Sequence, residues 1–141
     1  MDAFENALLN KLKDDPRRSI ESISEEMDAS PSKVDDCIHH LREKDVFRLL
    51  SFVDPSMLGY PLQVHFLINT MDPERLKEVF ADNPRVNIFS MVNGDSDVLI
   101  ECFFPDHSEM DGFEEMLKSL DIIGYEKMIV DDEIMREEFR L

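Results

Sequence analysis

SIESISEEMDASPSKVDDCIHHLREKDV, residues 19–46, decides how the first third of the chain folds. Ile20, Ile23 and Met27 recur at i, i+3 and i+7, one face of a short helix, and Ser19 stands where a side-chain oxygen satisfies free backbone N–H groups. Ser30-Pro31 repeats the signal, a capping residue followed by a proline at the first helical position, and Val34, Cys37, Ile38 and Leu41 form the inward stripe of the next helix. Only Met27 to Ala29 separates the two. Upstream, Phe4, Leu8, Leu9 and Leu12 mark an earlier helix that Pro16 stops. Two helices joined so tightly, after a first that covers their apolar faces, make a helix-turn-helix or an ordinary three-helix mini-bundle. Val46 to Val53, apolar and partly β-branched, predicts a strand after the third helix and favours the winged form.

Beyond this block the periodicity changes. Asp54-Pro55 and Gly59-Tyr60-Pro61 punctuate the chain, so residues 1–53 read as one domain, 54–61 as a linker and 62–141 as a second domain. In LQVHFLIN, residues 62–69, Leu62, Val64, Phe66 and Ile68 alternate with Gln63, His65, Leu67 and Asn69, as a half-buried strand requires. Asp72-Pro73 opens a helix carrying Leu76, Val79 and Phe80. Val86 to Val92 and Val98 to Phe104 flank Asn93-Gly94-Asp95-Ser96-Asp97 as a hairpin. A helix with Phe113, Met116, Leu117 and Leu120 follows, and Gly124 to Val130 forms a last strand. The order β-α-β-β-α-β predicts a four-stranded antiparallel sheet with both helices on one face, the ferredoxin-like split βαβ. The fold class is therefore α+β. By strict alternation Leu67, Phe89, Met91, Leu99 and Phe103 share the other face, a candidate dimer interface.

Composition narrows the function. The 141 residues carry 32 Asp and Glu against 15 Lys and Arg, a net charge of -17, which argues against indiscriminate binding to phosphate backbones or acidic membranes. The acid is unevenly placed: residues 1–50 hold 12 acidic and 8 basic side chains, the remainder 20 and 7. No apolar run reaches a membrane span and Met1 to Asn10 is not signal-like, so the chain reads as cytoplasmic. Cys37 and Cys102 lack metal or disulfide spacing. His39-His40 is no metal pair, because adjacent side chains diverge by about 100° on a helix and no third ligand is placed. No P-loop, GxSxG or dinucleotide fingerprint is present, so neither an enzyme nor a cofactor is expected.

In its order of elements and in its motifs the chain resembles the Lrp/AsnC family, the leucine-responsive or feast/famine transcription regulators. Asp15-Pro16-Arg17-Arg18-Ser19 is similar to that family's turn after the first helix, Ala29 to Val34 to the start of its recognition helix, Leu41 to Val46 to the end of it, Leu58-Gly59-Tyr60 to the linker, and Val92 to Leu99 to its glycine-acid-x-aspartate hairpin. The resemblance implies an N-terminal winged helix-turn-helix that binds double-stranded DNA and a C-terminal domain that forms a homodimer or higher oligomer and binds an amino acid or other small effector. Four positions depart from the pattern. Asp28 stands where the turn has glycine, which its short polar side chain tolerates. Asp35 and Asp36 replace outward donors of the third helix, and Ser96 replaces an aromatic in the hairpin.

Under this reading Arg17, Arg18, Lys33, Arg42, Lys44 and Arg48 are the phosphate contacts, while Ser30, Ser32, His39 and His40 lie nearer base edges. Gly94, Asp95, Ser96 and Asp97 are the effector loop, offering backbone N–H groups to a carboxylate and an acid to an ammonium. The plainer alternatives are solvated charges balancing their acidic neighbours and a turn that needs Asn-Gly and Asp for its geometry. A different class of function is an acidic interaction module of the same fold, acting through a basic partner.

Overall fold

The computed structural model describes residues 1–49 and 53–133. The described residues divide into two compact units, one within residues 1–49 and the other within residues 53–133. No helix among the described residues is long and apolar enough to cross a membrane.

The first unit contains α1 (Ala3–Asp14), α2 (Ile20–Glu26) and α3 (Pro31–Glu43). Each starts on a capping side chain: Asp2 accepts from the Glu5 N–H, Ser19 from the Ser22 N–H and Ser30 from the Lys33 N–H, and Pro31 fills the first helical position of α3. Leu8, Leu9 and Leu12 from α1, Ile23 from α2, and Val34, Ile38 and Leu41 from α3 close one core, with Phe4, Ile20, Cys37 and Phe47 packed at its edge.

The ends of α2 and α3 share one geometry. The Ala29 N–H donates to the Ser24 carbonyl and the Asp28 N–H to the Glu25 carbonyl; Val46 donates to Leu41 and Asp45 to Arg42 in the same way. These are Schellman closures, which place a left-handed residue just past the helix. Here that residue is aspartate twice, Asp28 at φ 49° and Asp45 at φ 53°. The strand expected over Val46 to Val53 is absent from residues 46–49: the closure at Val46 and the seating of Phe47 against the helical core hold this segment to the bundle. Val53 is likewise outside any strand, and residues 50–52, the remainder of that expectation, lie outside the described residues.

The second unit runs η1 (Pro55–Leu58), β1 (Leu62–Asn69), α4 (Pro73–Phe80), β2 (Val86–Met91), β3 (Val98–Phe104), α5 (His107–Ser119) and β4 (Gly124–Ile129). The segment expected as a linker thus forms a single turn of 3-10 helix, closed by Gly59 at φ 89°. The antiparallel sheet has strand order β2-β3-β1-β4. Val64, Phe66 and Ile68 of β1 and Val98, Ile100, Cys102 and Phe104 of β3 are buried with Leu76 and Phe80 of α4 and Met110, Phe113 and Leu117 of α5. Phe113 anchors this layer, its ring 5.3 to 5.4 Å from those of Phe66, Phe80 and Phe104. Burial pushes the Cys102 thiol up to about 12, so it behaves as an apolar core side chain.

Two expectations follow. Replacing Asp28 or Asp45 by glycine removes the Cβ penalty of a left-handed residue, so each variant should gain up to about 1 kcal/mol in urea unfolding, and a loss of stability would contradict the strain assigned there. The Glu26 carboxyl, gripped by Arg18 and then by Lys11, is held down at about 2 from an ordinary 4.5. A carboxyl lowered on folding contributes stability above its unfolded value and loses it as pH falls toward the folded one, here between 4.5 and about 2. In a carbon-detected NMR titration the Glu26 midpoint should rise toward 4.5 in Arg18→Gln.

Candidate functional site

On α3 the exposed side chains follow from the buried ones. With Val34, Ile38 and Leu41 inward, Ser32, Asp36, His39 and Glu43, spaced i, i+4, i+7 and i+11, occupy the opposite face, and all four are exposed. This outermost stripe contains no fixed cation. Lys33 and His40 flank it on one side, Asp35 and Arg42 on the other.

Several expected phosphate contacts are engaged within the unit. Arg18 pairs with Glu26 and also donates to Ser22 Oγ at 2.9 Å. Lys33 Nζ lies 4.2 Å from the centre of the Phe4 ring, and Arg42 sits over Phe47 at 5.7 Å. Arg48 pairs with Asp45 at 3.3 Å. Ser30 Oγ is the cap of α3, 3.3 Å from the Lys33 nitrogen, and lies 3.2 Å from Ser32 Oγ. Arg17 and Lys44 are exposed, and among the described residues no side-chain partner is recorded for either. No group of three or more potential metal ligands occurs among the described residues.

In the second unit, the sheet face away from the helices carries Gln63, His65 and Leu67 of β1, Leu99, Glu101 and Phe103 of β3, and Glu126 and Met128 of β4. Phe89 and Met91 do not share that face, which corrects the expectation from strict alternation. Val86 pairs with Cys102, but Ile88 pairs with Glu101, so a bulge at Asn87 inserts one residue and inverts the parity of the rest of β2. Phe89 then opposes Ile100 and packs against the core, Met91 opposes Val98, and Ile88 takes the outer position. The bulge also serves Glu101, which is 7% exposed: Asn87 Nδ2 donates to it at 2.6 Å, Gln63 Nε2 donates at 2.9 Å, and His65 Nε2 lies 3.1 Å away. A buried carboxylate requires such partners.

The hairpin loop behaves differently from its sequence reading. Gly94 has no positive φ, and a Cβ there would meet nothing within 4 Å, so the turn does not use glycine's special freedom. Asp97 is built into the fold: its N–H donates to the Ile68 carbonyl at 3.0 Å, its carbonyl accepts from Val92 at 2.9 Å, and its Oδ2 accepts from the Thr70 N–H at 2.9 Å. Asp95 and Gly94 remain exposed at the tip, with Ser96 half-buried beside them.

Thr70 also lines a cavity of about 290 Å3 at the start of α4 and the end of α5, with Arg75, Leu76, Val79, Leu120 and Asp121. The sequence alone does not bring these residues together. Thr70-x-Asp72-Pro73 was legible only as a helix start, and nothing local signals that Asp121, 49 residues beyond Asp72, closes the same hollow. Glu101 did leave a signal, as a lone acid within the apolar run Val98 to Phe104.

No family model matches the chain. It is 23% identical over 144 residues to an uncharacterized HTH-type transcriptional regulator of Pyrococcus horikoshii, covering 100% of this chain and 97% of that protein. Among solved structures, an AsnC family transcriptional regulator from Agrobacterium tumefaciens superposes with a TM-score of 0.86 at 22% identity, over 100% of this chain and 97% of that one. A transcriptional regulator of Neisseria meningitidis, solved as a complex with L-methionine, superposes with a TM-score of 0.86 at 20% identity, over 96% of this chain and 93% of that one. All three are named as transcriptional regulators rather than as enzymes. The chain therefore has the fold of the AsnC family of transcriptional regulators.

Proposed function

We propose that the chain is a sequence-specific, DNA-binding transcription regulator whose first unit is a helix-turn-helix domain of the winged kind and whose second, ferredoxin-like unit dimerises and responds to a small amino-acid-like effector. The observation that carries the reading is the α2-turn-α3 pair, capped on Ser30 and turned by a left-handed Asp28, within a chain whose fold is that of transcription regulators. In such a pair the second helix enters the major groove while residues around it hold the phosphates. Ser32 and His39 then face base edges, and Arg17 and Lys44 supply charge at the two ends of the motif. Arg18, Lys33, Arg42 and Arg48 contribute by exchanging their internal partners for phosphate.

The outer sheet face supports association between two copies. Leu67, Leu99, Phe103, Ile88 and Met128 are its apolar members, and a two-fold interface there would cover the Glu101 network and exclude water from it. The effector half of the reading is supported by the likeness to a regulator solved with L-methionine.

A second reading is favoured by one specific observation, the stripe Ser32-Asp36-His39-Glu43, which presents carboxylates where a phosphate-binding surface needs cations. On that reading the first unit binds DNA weakly by itself and works through a more basic partner.

Titrating a fluorescent duplex with the intact protein across salt concentrations tests DNA contact. The logarithm of affinity should fall linearly with the logarithm of salt, and Arg17→Ala and Lys44→Ala should each reduce the slope by about one. Unchanged slopes would remove these residues from the interface. Asp35→Asn with Asp36→Asn separates the two readings: a helix that uses these acids on cytosine amino groups loses sequence preference, whereas a helix blocked by them gains affinity for every duplex.

A further inference from the structure

We infer that association of two copies through the outer sheet face takes up protons at His65, which makes that face a pH-sensitive contact, tighter at about pH 6 than at about pH 8. The inference rests on the dimer half of the proposed function and adds a control that self-association by itself does not imply.

The face is built around a buried carboxylate. His65 Nε2 lies 3.1 Å from Glu101 Oε2, and the neutral amides of Asn87 and Gln63 donate to the same carboxylate. An ionised carboxylate only accepts, so His65 carries a hydrogen on Nε2, and the proton that titrates is the one on Nδ1. The His65 side chain is 31% exposed, so protons from solvent reach the network through the imidazole.

The charges around His65 come from three strands. It stands between Glu101 of β3 and Met128 of β4, with Gln63 and Leu67 beside it along β1. Glu126 of β4, opposite Leu67, is the second acid on the face, while β2 contributes the neutral Asn87 and Ile88. Neighbouring cations are committed to the helix side of the sheet: Lys127, opposite Phe66, pairs with Glu114 of α5 at 2.7 Å, and Arg85 pairs with Glu109 of α5 at 2.7 Å. Among the described residues of the outer face, His65 is therefore the one side chain that can become positive.

A second copy packed over this face changes the worth of that charge. Leu67, Ile88, Leu99, Phe103 and Met128 favour the contact, Ile88 and Met128 each being 45% exposed. A two-fold axis, however, brings like to like: Glu101 and Glu126 of both copies enter one interface without a fixed cation, between chains of net charge -17. A carboxylate without a counter-charge costs more in such an interface than beside water, and a protonated His65 supplies the counter-charge to Glu101 at hydrogen-bond distance. A histidine that holds its proton more tightly in the dimer contributes association in full below its value in the free copy, and loses that contribution as pH rises through its value in the dimer.

Sedimentation velocity of the labelled intact protein, diluted at fixed salt until the dimer dissociates, measures the coupling. From about pH 8 to about pH 6 the dimer Kd should fall at least about fivefold, and in His65→Gln, which keeps an amide donor and cannot charge, it should change by less than about twofold. Glu101→Gln, which removes the acid that the imidazolium answers, should lose the tightening as well. A wild-type Kd indifferent to pH overturns the inference. So does a pH response that survives in His65→Gln, since His39, His40 and His107 remain there. Should circular dichroism show either variant unfolded, the protons released when the wild-type dimer is diluted near neutral pH, read from heats in buffers of different ionisation enthalpy, decide the matter: release is expected, and none contradicts it. A monomer at every pH and concentration would remove the dimer reading too, which a pH-indifferent dimer leaves standing.

Discussion

Antiparallel pairing of β1 with β3, running from Leu62 opposite Phe104 to Ile68 opposite Val98, is the constraint on which the second unit depends. It aligns two apolar rows on one face, and both helices must cover them. Side chains of the intervening positions are thereby committed to the opposite face, where β1 and the bulge in β2 bring donors to the buried Glu101. The same register leaves the ends of β1 and β3 adjacent. Asp97 can then bond Thr70, and the hairpin becomes an extension of the strand that opens the cavity.

Acid excess shapes the first unit in a different way. Lys11 and Arg18 converge on Glu26, tying α1 and α2, while Lys33 and Arg42 rest on aromatic rings. Exposed ion pairs are worth little to stability, but they set which cations stand ready for a phosphate and which must first leave a partner. On the proposed reading, DNA affinity from such a surface depends on local geometry and on salt, because the net charge of -17 opposes approach at long range.

Much of this was legible in residue types. Ser19, Ser30 and Pro31 announced α2 and α3 because caps act locally, and the alternation in residues 62–69 announced β1 with its buried face. Asp28 was readable as a left-handed residue for the same reason. Pairing, which joins distant residues, was not readable. The bulge at Asn87 has no glycine or proline to mark it, so Phe89 and Met91 counted to the wrong face. Arg18 and Lys33 looked available because the sequence does not tell that Glu26 and Phe4 approach them. The hairpin aspartate was visible as a special residue, yet its carboxylate closes the fold at Thr70 rather than standing open.

Recognition of a particular DNA sequence is the claim from which the roles of both units follow, and selection of bound duplexes from a random pool by the intact protein at low salt measures it directly. DNA recognition predicts enrichment of one motif with two-fold related half-sites, their centres about one or two helical turns apart, roughly 10 or 21 base pairs. Recovery of a pool with no enriched sequence would contradict it.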